Sequence, residues 1–189
     1  MSENHQTAEQ AESASARKTQ GEAPRIYAAC LASYNAGILH GRWIEVTDPD
    51  EMVEAVAAML AASPETGAEE WAINDYEGYD GVELSEYAGL EKTCALAAFI
   101  DEHGPLAGKL VAHFCGDLDE ARAAMEDYAG EYKSLEDFAY EFTEQTGVKI
   151  PESLANYIDY ETMGRDFELG GDIFTIETGV EEVHIFWSR

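Results

Sequence analysis

The stretch RWIEVTDPDEMVEAVAAMLA, residues 42–61, changes from a strand pattern to a helix pattern at Asp48. Asp48 takes the N-cap position, Pro49 the first helical position and Glu51 the capping-box position, so a helix is predicted to begin here and to end near Ala61. Three strand patterns surround this helix, at residues 26–33, 42–46 and 70–76. The first folded unit is therefore predicted to be β-β-α-β.

The middle of the chain is predicted to be a small helical unit. Residues 84–128 lack strand alternation and are rich in Ala and Leu, with apolar residues spaced as on one face of a helix. Gly104, Pro105 and Gly116 interrupt this pattern. The segment therefore favours three short helices joined by breaks.

The last part of the chain combines helix and strand patterns. Ser134 caps a helix that ends before Gly147, and Pro151 opens a shorter helix through about residue 158. The triplet GRD at residues 164–166 indicates a turn. The chain closes on a predicted hairpin of residues 173–177 and 183–187 that turns at Thr178 and Gly179.

Together these patterns predict an α+β protein built as an elongated chain of three small domains. The segment before the first strand is rich in Ser, Glu, Ala and Gln and nearly free of large apolar side chains, which is typical of disorder. The predicted division is a disordered leader at residues 1–24, an N-terminal α+β domain at 25–82, a central helical domain at 83–125 and a C-terminal α+β domain at 126–189.

Charge is the outlying property of the chain. It carries 39 Asp and Glu against 11 Lys and Arg, a net charge of −28, and self-repulsion at this level opposes the compact state. The excess is spread over the three units, with −9 in residues 25–82, −5 in 83–125 and −12 in 126–189. An acidic tail would concentrate its charge in one block, so the carboxylates are expected to decorate folded surfaces.

Such a surface could imitate DNA. B-DNA carries one negative charge per roughly 1.7 Å of axis, so about 26–28 charges correspond to roughly 45 Å of duplex, or about 13 base pairs. The physics permits this mimicry without requiring it. The candidate phosphate mimics are ten acids that recur every few residues in one stretch, namely Asp117, Asp119, Glu120, Glu126, Asp127, Glu131, Glu136, Asp137, Glu141 and Glu144.

Three other function classes are compatible with an acidic surface. They are an acid-dependent hydrolase, an acidic chaperone or inhibitor of other basic DNA-binding proteins, and a protein adapted to high salt. The chain contains no GxSxG, GxGxxG, Walker or HExxH motif, so no enzymatic activity, cofactor or metal is predicted.

The expected location is the cytoplasm. The three cysteines are widely spaced and form no CxxC pair, which predicts reduced, buried thiols. No apolar run approaches the roughly 20 residues needed to cross a bilayer. A strongly acidic surface is also repelled by anionic lipid and by nucleic acid, so neither is expected as a partner.

Three segments carry a resemblance to a known family. They are IYAACLASYNAGILHGRWIEV at residues 26–46, EEWAINDYEGYDG at 69–81 and PESLANYIDYETMGRDFELGGDIF at 151–174. Through these segments, which span nearly all of residues 25–189, the chain resembles the type A antirestriction (ArdA) family carried on plasmids and conjugative transposons. The most specific match is the core NYIDY at residues 156–160 together with GRD at 164–166.

The resemblance implies a curved, three-domain α+β protein that dimerises and imitates bent DNA. Proteins of this kind occupy the DNA-binding groove of type I restriction–modification enzymes, on the methyltransferase core, and so protect incoming mobile DNA. The family's antirestriction signature lies around residues 148–158. Its matching positions, which are expected to serve packing or the contact within a homodimer, are Pro151, Leu154, Asn156 and Tyr157.

Overall fold

The computed structural model describes residues 23–188, which contain both helices and two small antiparallel sheets, and this confirms the α+β class. Nearly all of the predicted leader at residues 1–24, and the final residue of the chain, lie outside the described residues. Between residues 23 and 188, no helix is long and apolar enough to cross a bilayer. The division into three domains stays a prediction.

The N-terminal part of the fold is a three-stranded sheet with two helices. Its elements in chain order are β1 (Arg25–Cys30), α1 (Leu31–Asn35), β2 (Gly41–Glu45), α2 (Pro49–Ala61) and β3 (Trp71–Glu77). The strands are antiparallel, in the order β2-β1-β3. Helix α2 begins and ends as predicted. It begins at Pro49 because the Asp48 side chain accepts hydrogen bonds at 3.0 Å from the backbone N–H groups of Asp50 and Glu51.

Helix α1 replaces the end of the strand predicted at residues 26–33, and that prediction was wrong beyond Cys30. Ser33 in α1 is fully buried, and its hydroxyl lies 2.8 Å from the hydroxyl of Ser63, just after α2. Because a buried hydroxyl needs a partner, this contact favours the helical turn over a continued strand. The predicted β-β-α-β unit is therefore β-α-β-α-β.

The central part of the fold is helical, as predicted. Its helices are α3 (Leu90–His103), α4 (Pro105–His113) and α5 (Leu118–Met125). The breaks between them fall at Gly104 and Gly116, whose φ angles of +59° and +88° favour glycine over residues with a side chain.

The C-terminal part of the fold is a second sheet packed against helices. Its elements are β4 (Tyr128–Tyr132), α6 (Leu135–Gln145), α7 (Glu152–Ala155), α8 (Tyr160–Gly170), β5 (Ile173–Gly179) and β6 (Glu182–Trp187). The strands are antiparallel, in the order β4-β6-β5. Helix α6 begins as predicted, because the Ser134 hydroxyl accepts a hydrogen bond at 3.1 Å from the backbone N–H of Asp137.

Several predictions for this C-terminal part were wrong or incomplete. Strand β4 was not predicted, because residues 128–132 (YAGEY) lack clear alternation and are extended through their pairing with β6. Helix α7 ends at Ala155 rather than near residue 158. The turn predicted at residues 164–166 lies inside α8. The hairpin turns at Val180 and Glu181, beyond the predicted position, because β5 continues its pairing to Gly179.

One apolar core runs through all three parts of the fold. It joins Ile26 in β1, Leu110 in α4 and Phe186 in β6, all of which are fully buried. A second, smaller cluster lies around Phe138 in α6. The core is therefore continuous across the predicted domain boundaries at residues 82 and 125.

Helices α6 and α8 pack so closely that Gly164 has no room for a side chain. A Cβ added at Gly164 would lie 2.3 Å from the carbonyl oxygen of Leu135. We therefore expect Gly164→Ala to lower the free energy of unfolding by about 1–3 kcal/mol, because the two helices must move apart. Urea denaturation measures this change.

The matched control is Gly170→Ala, at the end of the same helix. The nearest atom to a Cβ at Gly170 is the Asp172 Oδ2, at 3.4 Å. This variant should keep the wild-type stability or gain up to about 1 kcal/mol. Equal stabilities of the two variants would contradict the tight contact at Gly164.

Candidate functional site

The ten predicted phosphate mimics between residues 117 and 144, which we call the acidic stretch, run over α5, β4 and α6. Asp119 and Glu120 lie in the first turn of α5, Glu131 lies in β4, and four more acids lie on α6. Nine of the ten side chains are exposed to solvent, and Asp127 is half-buried. The fold therefore presents these carboxylates to solvent, as contact with a partner requires.

Helix α6 carries the densest group of acids in the acidic stretch. Its buried face contains Phe138 and Ala139, and its exposed side carries Glu136, Asp137, Glu141 and Glu144. Because a helix rises 1.5 Å per residue, these four charges span about 12 Å, with a mean spacing of about 4 Å along the helix axis. One strand of B-DNA carries one charge per about 3.4 Å, so α6 has nearly the linear charge density of one DNA strand.

Few of these carboxylates are neutralised by the protein itself. Among residues 23–188, the side-chain contacts within 4.0 Å between a basic and an acidic residue are Arg25 with Glu77 and His103 with Glu102, both outside the acidic stretch. Glu126 and Asp127 make contacts of their own. The other eight acids of the stretch have no basic partner within 4.0 Å in the described part of the chain, so their charge is available to an external cation.

Two acids of the stretch also hold helices in place. Asp117 caps α5, where it accepts hydrogen bonds from the backbone N–H groups of Asp119 and Glu120 at 3.0 and 3.1 Å. Asp137 accepts a hydrogen bond at 3.1 Å from the hydroxyl of Ser134, which caps α6. Because the helix dipole favours negative charge at a helix N-terminus, these acids stabilise the helices that display the others.

The α5 end of the acidic stretch has a different environment from α6. A surface cleft of about 540 Å³ contains Asp117 and Asp119 together with the bases Lys92 and Arg122. Cys115 also lines this cleft and is exposed, so the prediction that all the cysteines are buried was wrong at this position. None of the four acids on α6 lines the cleft, and Lys92 and Arg122 lower the net negative charge at the α5 end.

The four signature residues lie together in an exposed segment around α7. Pro151 precedes α7, Leu154 lies within it, and Asn156 and Tyr157 follow it. Leu154 and Tyr157 have 54% and 83% of their surface in solvent, so packing within this chain does not account for them. Of the two predicted roles, their exposure favours a contact with a second copy.

An aromatic contact that the sequence patterns did not indicate joins this segment to α6. Tyr140, which is exposed among the acids of α6, meets Tyr160 at the start of α8, with ring centroids 5.3 Å apart. Tyr160 is the last residue of the NYIDY core. An aromatic residue on an otherwise acidic helix face is the signal that could have indicated this contact.

Asp159, which caps α8, has the environment of a helix cap rather than that of a general acid. Hydrogen bonds from the backbone N–H and the hydroxyl of Thr162, aided by the charge of Arg165, hold the pKa of Asp159 below its usual value. A general acid at neutral pH needs a raised pKa instead. In the described range, 23–188, no group of three or more His, Cys, Asp and Glu is arranged to hold a metal ion.

His184 is a buried structural side chain in the second sheet. Its Nδ1 lies 2.7 Å from the hydroxyl of Tyr128 in β4, and its Nε2 lies 3.0 Å from the hydroxyl of Thr178 in β5. Burial lowers the pKa of His184. Because both ring nitrogens are engaged, this side chain links the three strands rather than serving a site.

Comparison with known protein families matches residues 26–182 to the family described as antirestriction protein (ArdA). The matched range covers most of the chain and includes both the acidic stretch and the signature segment. A search among curated proteins finds no match.

Glu141 tests whether the charge on α6 opposes folding. It lies one helical turn from both Asp137 and Glu144, and each like-charge pair at this spacing costs about 0.2–0.5 kcal/mol. We expect Glu141→Gln to raise the free energy of unfolding by roughly 0.4–1 kcal/mol in low salt, measured by urea denaturation. Molar salt should remove the gain, because it screens exposed charges.

Asp117→Ala is the contrasting variant, because Asp117 caps α5. It should lower the free energy of unfolding by about 1 kcal/mol, the usual loss for a removed N-cap. A loss of stability in Glu141→Gln at low salt would show that this acid is needed for the fold itself.

Proposed function

The chain belongs to the ArdA family of antirestriction proteins, and we propose that it acts as a mimic of double-stranded DNA. In this proposal it occupies the DNA-binding groove of type I restriction–modification enzymes, on their methyltransferase core, in the cytoplasm. It thereby protects incoming mobile DNA from restriction. It catalyses no reaction, needs no cofactor and binds neither nucleic acid nor membrane.

The acids on the exposed side of α6 carry this proposal. Their mean spacing of about 4 Å along the helix axis is close to the roughly 3.4 Å between charges on one strand of B-DNA. Glu136, Asp137, Glu141 and Glu144 have no basic partner within the described part of the chain. A groove lined with Lys and Arg that binds DNA phosphates could therefore pair with these carboxylates instead.

The mechanism is competitive, and its affinity is distributed over many contacts. An exposed ion pair contributes on the order of 0.2–1 kcal/mol, so no single carboxylate can account for tight binding. Several pairs formed together can displace DNA, because DNA relies on the same kind of contact in the same groove. The affinity should therefore fall gradually as acids are removed.

A competition assay tests this proposal directly. We expect the full-length protein to displace a fluorescent duplex from a purified type I methyltransferase core, measured by anisotropy. Glu141→Gln alone should be nearly silent. Replacing six acids of the stretch by their amides should weaken inhibition progressively, by about tenfold for each 1.4 kcal/mol lost. The six positions are Asp119, Glu120, Glu131, Glu136, Glu141 and Glu144.

The control for this series exchanges Glu for Asp, or Asp for Glu, at the same six positions and so keeps the charge. Wild-type inhibition should also weaken steeply from low to moderate salt. A flat salt response would contradict the mimic, as would one folded amide variant that lost all activity while its neighbours kept theirs. Equal binding to unrelated basic proteins would favour an acidic chaperone instead.

We further propose that the protein forms a homodimer through the signature segment. Two copies with a charge of −28 each repel one another, so their contact should use apolar and amide groups rather than carboxylates. Leu154, Asn156 and Tyr157 supply such groups, and all three are exposed. A two-fold dimer would double the length of the acidic surface and match the symmetry of many DNA sites.

We expect Leu154→Ser combined with Tyr157→Ser to convert the dimer to a monomer at micromolar concentration, because the contact loses its apolar surface. Light scattering measures the mass. Leu169→Ser is the control, since Leu169 is an exposed apolar residue of α8 outside the segment. Wild-type protein that was monomeric at this concentration, yet fully inhibitory, would remove the dimer from the proposal.

A further inference from the structure

Helix α1 and the loop that joins it to β2 expose apolar side chains at one end of the first sheet. Leu39 has 89% of its surface in solvent, and Tyr34 and Ile38 are also exposed. We call these three residues the apolar tip. They belong to the N-terminal part of the fold, whereas the acidic stretch begins at α5 and the signature segment surrounds α7. Grouped apolar side chains in solvent are typical of interaction sites.

The loop keeps Leu39 in solvent by fixing the residues on both sides of it. The backbone N–H of Ile38 donates to a carbonyl of α1 at 2.9 Å, and the carbonyl of His40 accepts from the N–H of Cys30 at 2.9 Å. The His40 Nε2 lies 2.8 Å from the carbonyl oxygen of Met59 in α2. Because this backbone is already ordered, a contact made by Leu39 would cost little conformational entropy.

Carboxylates lie at the same end of the first sheet as the apolar tip. Glu69 and Glu70 are exposed just before β3. The backbone carbonyl of Glu70 accepts a hydrogen bond from the N–H of Leu31, and the carbonyl of His40 accepts one from the N–H of Cys30, so Glu70 and His40 lie on opposite sides of the end of β1. Since neighbouring strands lie about 4.8 Å apart, Glu70 and His40 are about 10 Å apart at this end of the sheet. The exposed base Arg42 lies two residues beyond His40, so the charge at this end of the sheet is mixed but mainly acidic.

We propose that the apolar tip docks into a hydrophobic depression bordered by Lys or Arg on the target enzyme, while the acidic stretch occupies the DNA groove. This inference rests on the proposed function. Leu39 would fill the depression, and Glu69 and Glu70 would pair with its basic border. DNA has no apolar group that would enter this depression. The tip would therefore favour the target enzyme over other proteins that bind DNA phosphates.

The contact made by Leu39 should differ from the pairing of charges in its dependence on salt concentration. Burial of apolar surface is not screened by ions, whereas pairing of exposed charges is. Removing Leu39 should therefore weaken inhibition by a similar factor at every salt concentration. Removing acids of the stretch should instead reduce the salt dependence itself.

The test compares Leu39→Ser with Val180→Ser in the full-length protein. Val180 has 94% of its surface in solvent in the turn between β5 and β6, so it controls for the loss of one exposed apolar side chain. Inhibition constants are measured against the purified methyltransferase core from low to moderate salt. We expect Leu39→Ser to weaken inhibition by about tenfold throughout, and Val180→Ser to remain within about twofold of wild type.

Each outcome bears on the docking proposal separately from the mimic. Leu39→Ser that inhibited as well as wild type would overturn the docking and leave the mimic intact. Wild-type protein that failed to displace DNA would overturn both. Light scattering that showed a lower mass for Leu39→Ser would assign the tip to a second copy of this chain and also overturn the docking. Circular dichroism checks that each variant is folded.

Discussion

Repulsion between carboxylates is the constraint on which the arrangement of this protein depends. A net charge of −28 on 189 residues works against every compact state, so the acids must lie where water and backbone dipoles lower the cost. Exposure to water lowers the cost of repulsion for nine acids of the acidic stretch. The dipoles at helix N-termini lower this cost for Asp117 and Asp137, which accept hydrogen bonds at the starts of α5 and α6. The remaining cost is one that a positively charged partner can offset.

A core shared by all three parts of the fold opposes this repulsion. The ring of His113 in α4 stacks on Phe174 in β5 at 4.7 Å, and Phe174 stacks on Phe186 in β6 at 4.8 Å. Lys109 in α4 also donates a hydrogen bond to the carbonyl of Glu177 in β5. Apolar contacts of this kind hold charged parts together without neutralising their surfaces. The charges can then keep a fixed spacing, which a surface that imitates a regular polyanion requires.

The surface combines two kinds of interaction with different ranges. Carboxylates act over roughly 8–10 Å in physiological salt and attract many basic partners. Leu39 and Tyr157 act on contact alone and need a surface of complementary shape. They lie far apart in the sequence, in the loop between α1 and β2 and just after α7. In the proposed function, the carboxylates account for competition with DNA and Tyr157 contributes to assembly. In the docking that we inferred from it, Leu39 accounts for the choice of partner.

Local sequence determined the elements whose boundaries depend on a few neighbouring residues. The Asp48 and Ser134 caps, and the breaks at Gly104 and Gly116, defined α2, α6 and the central helices. The same sequence identified the acidic residues of the candidate site. It did not indicate β4, which depends on β6 more than fifty residues away, nor that Gly164 lies in a helix against Leu135. Exposure and ion pairing were also decided by the tertiary structure alone. The physical reason is range: caps and glycines act within a few residues, whereas strand pairing, helix packing and solvent exposure depend on residues that only folding brings together.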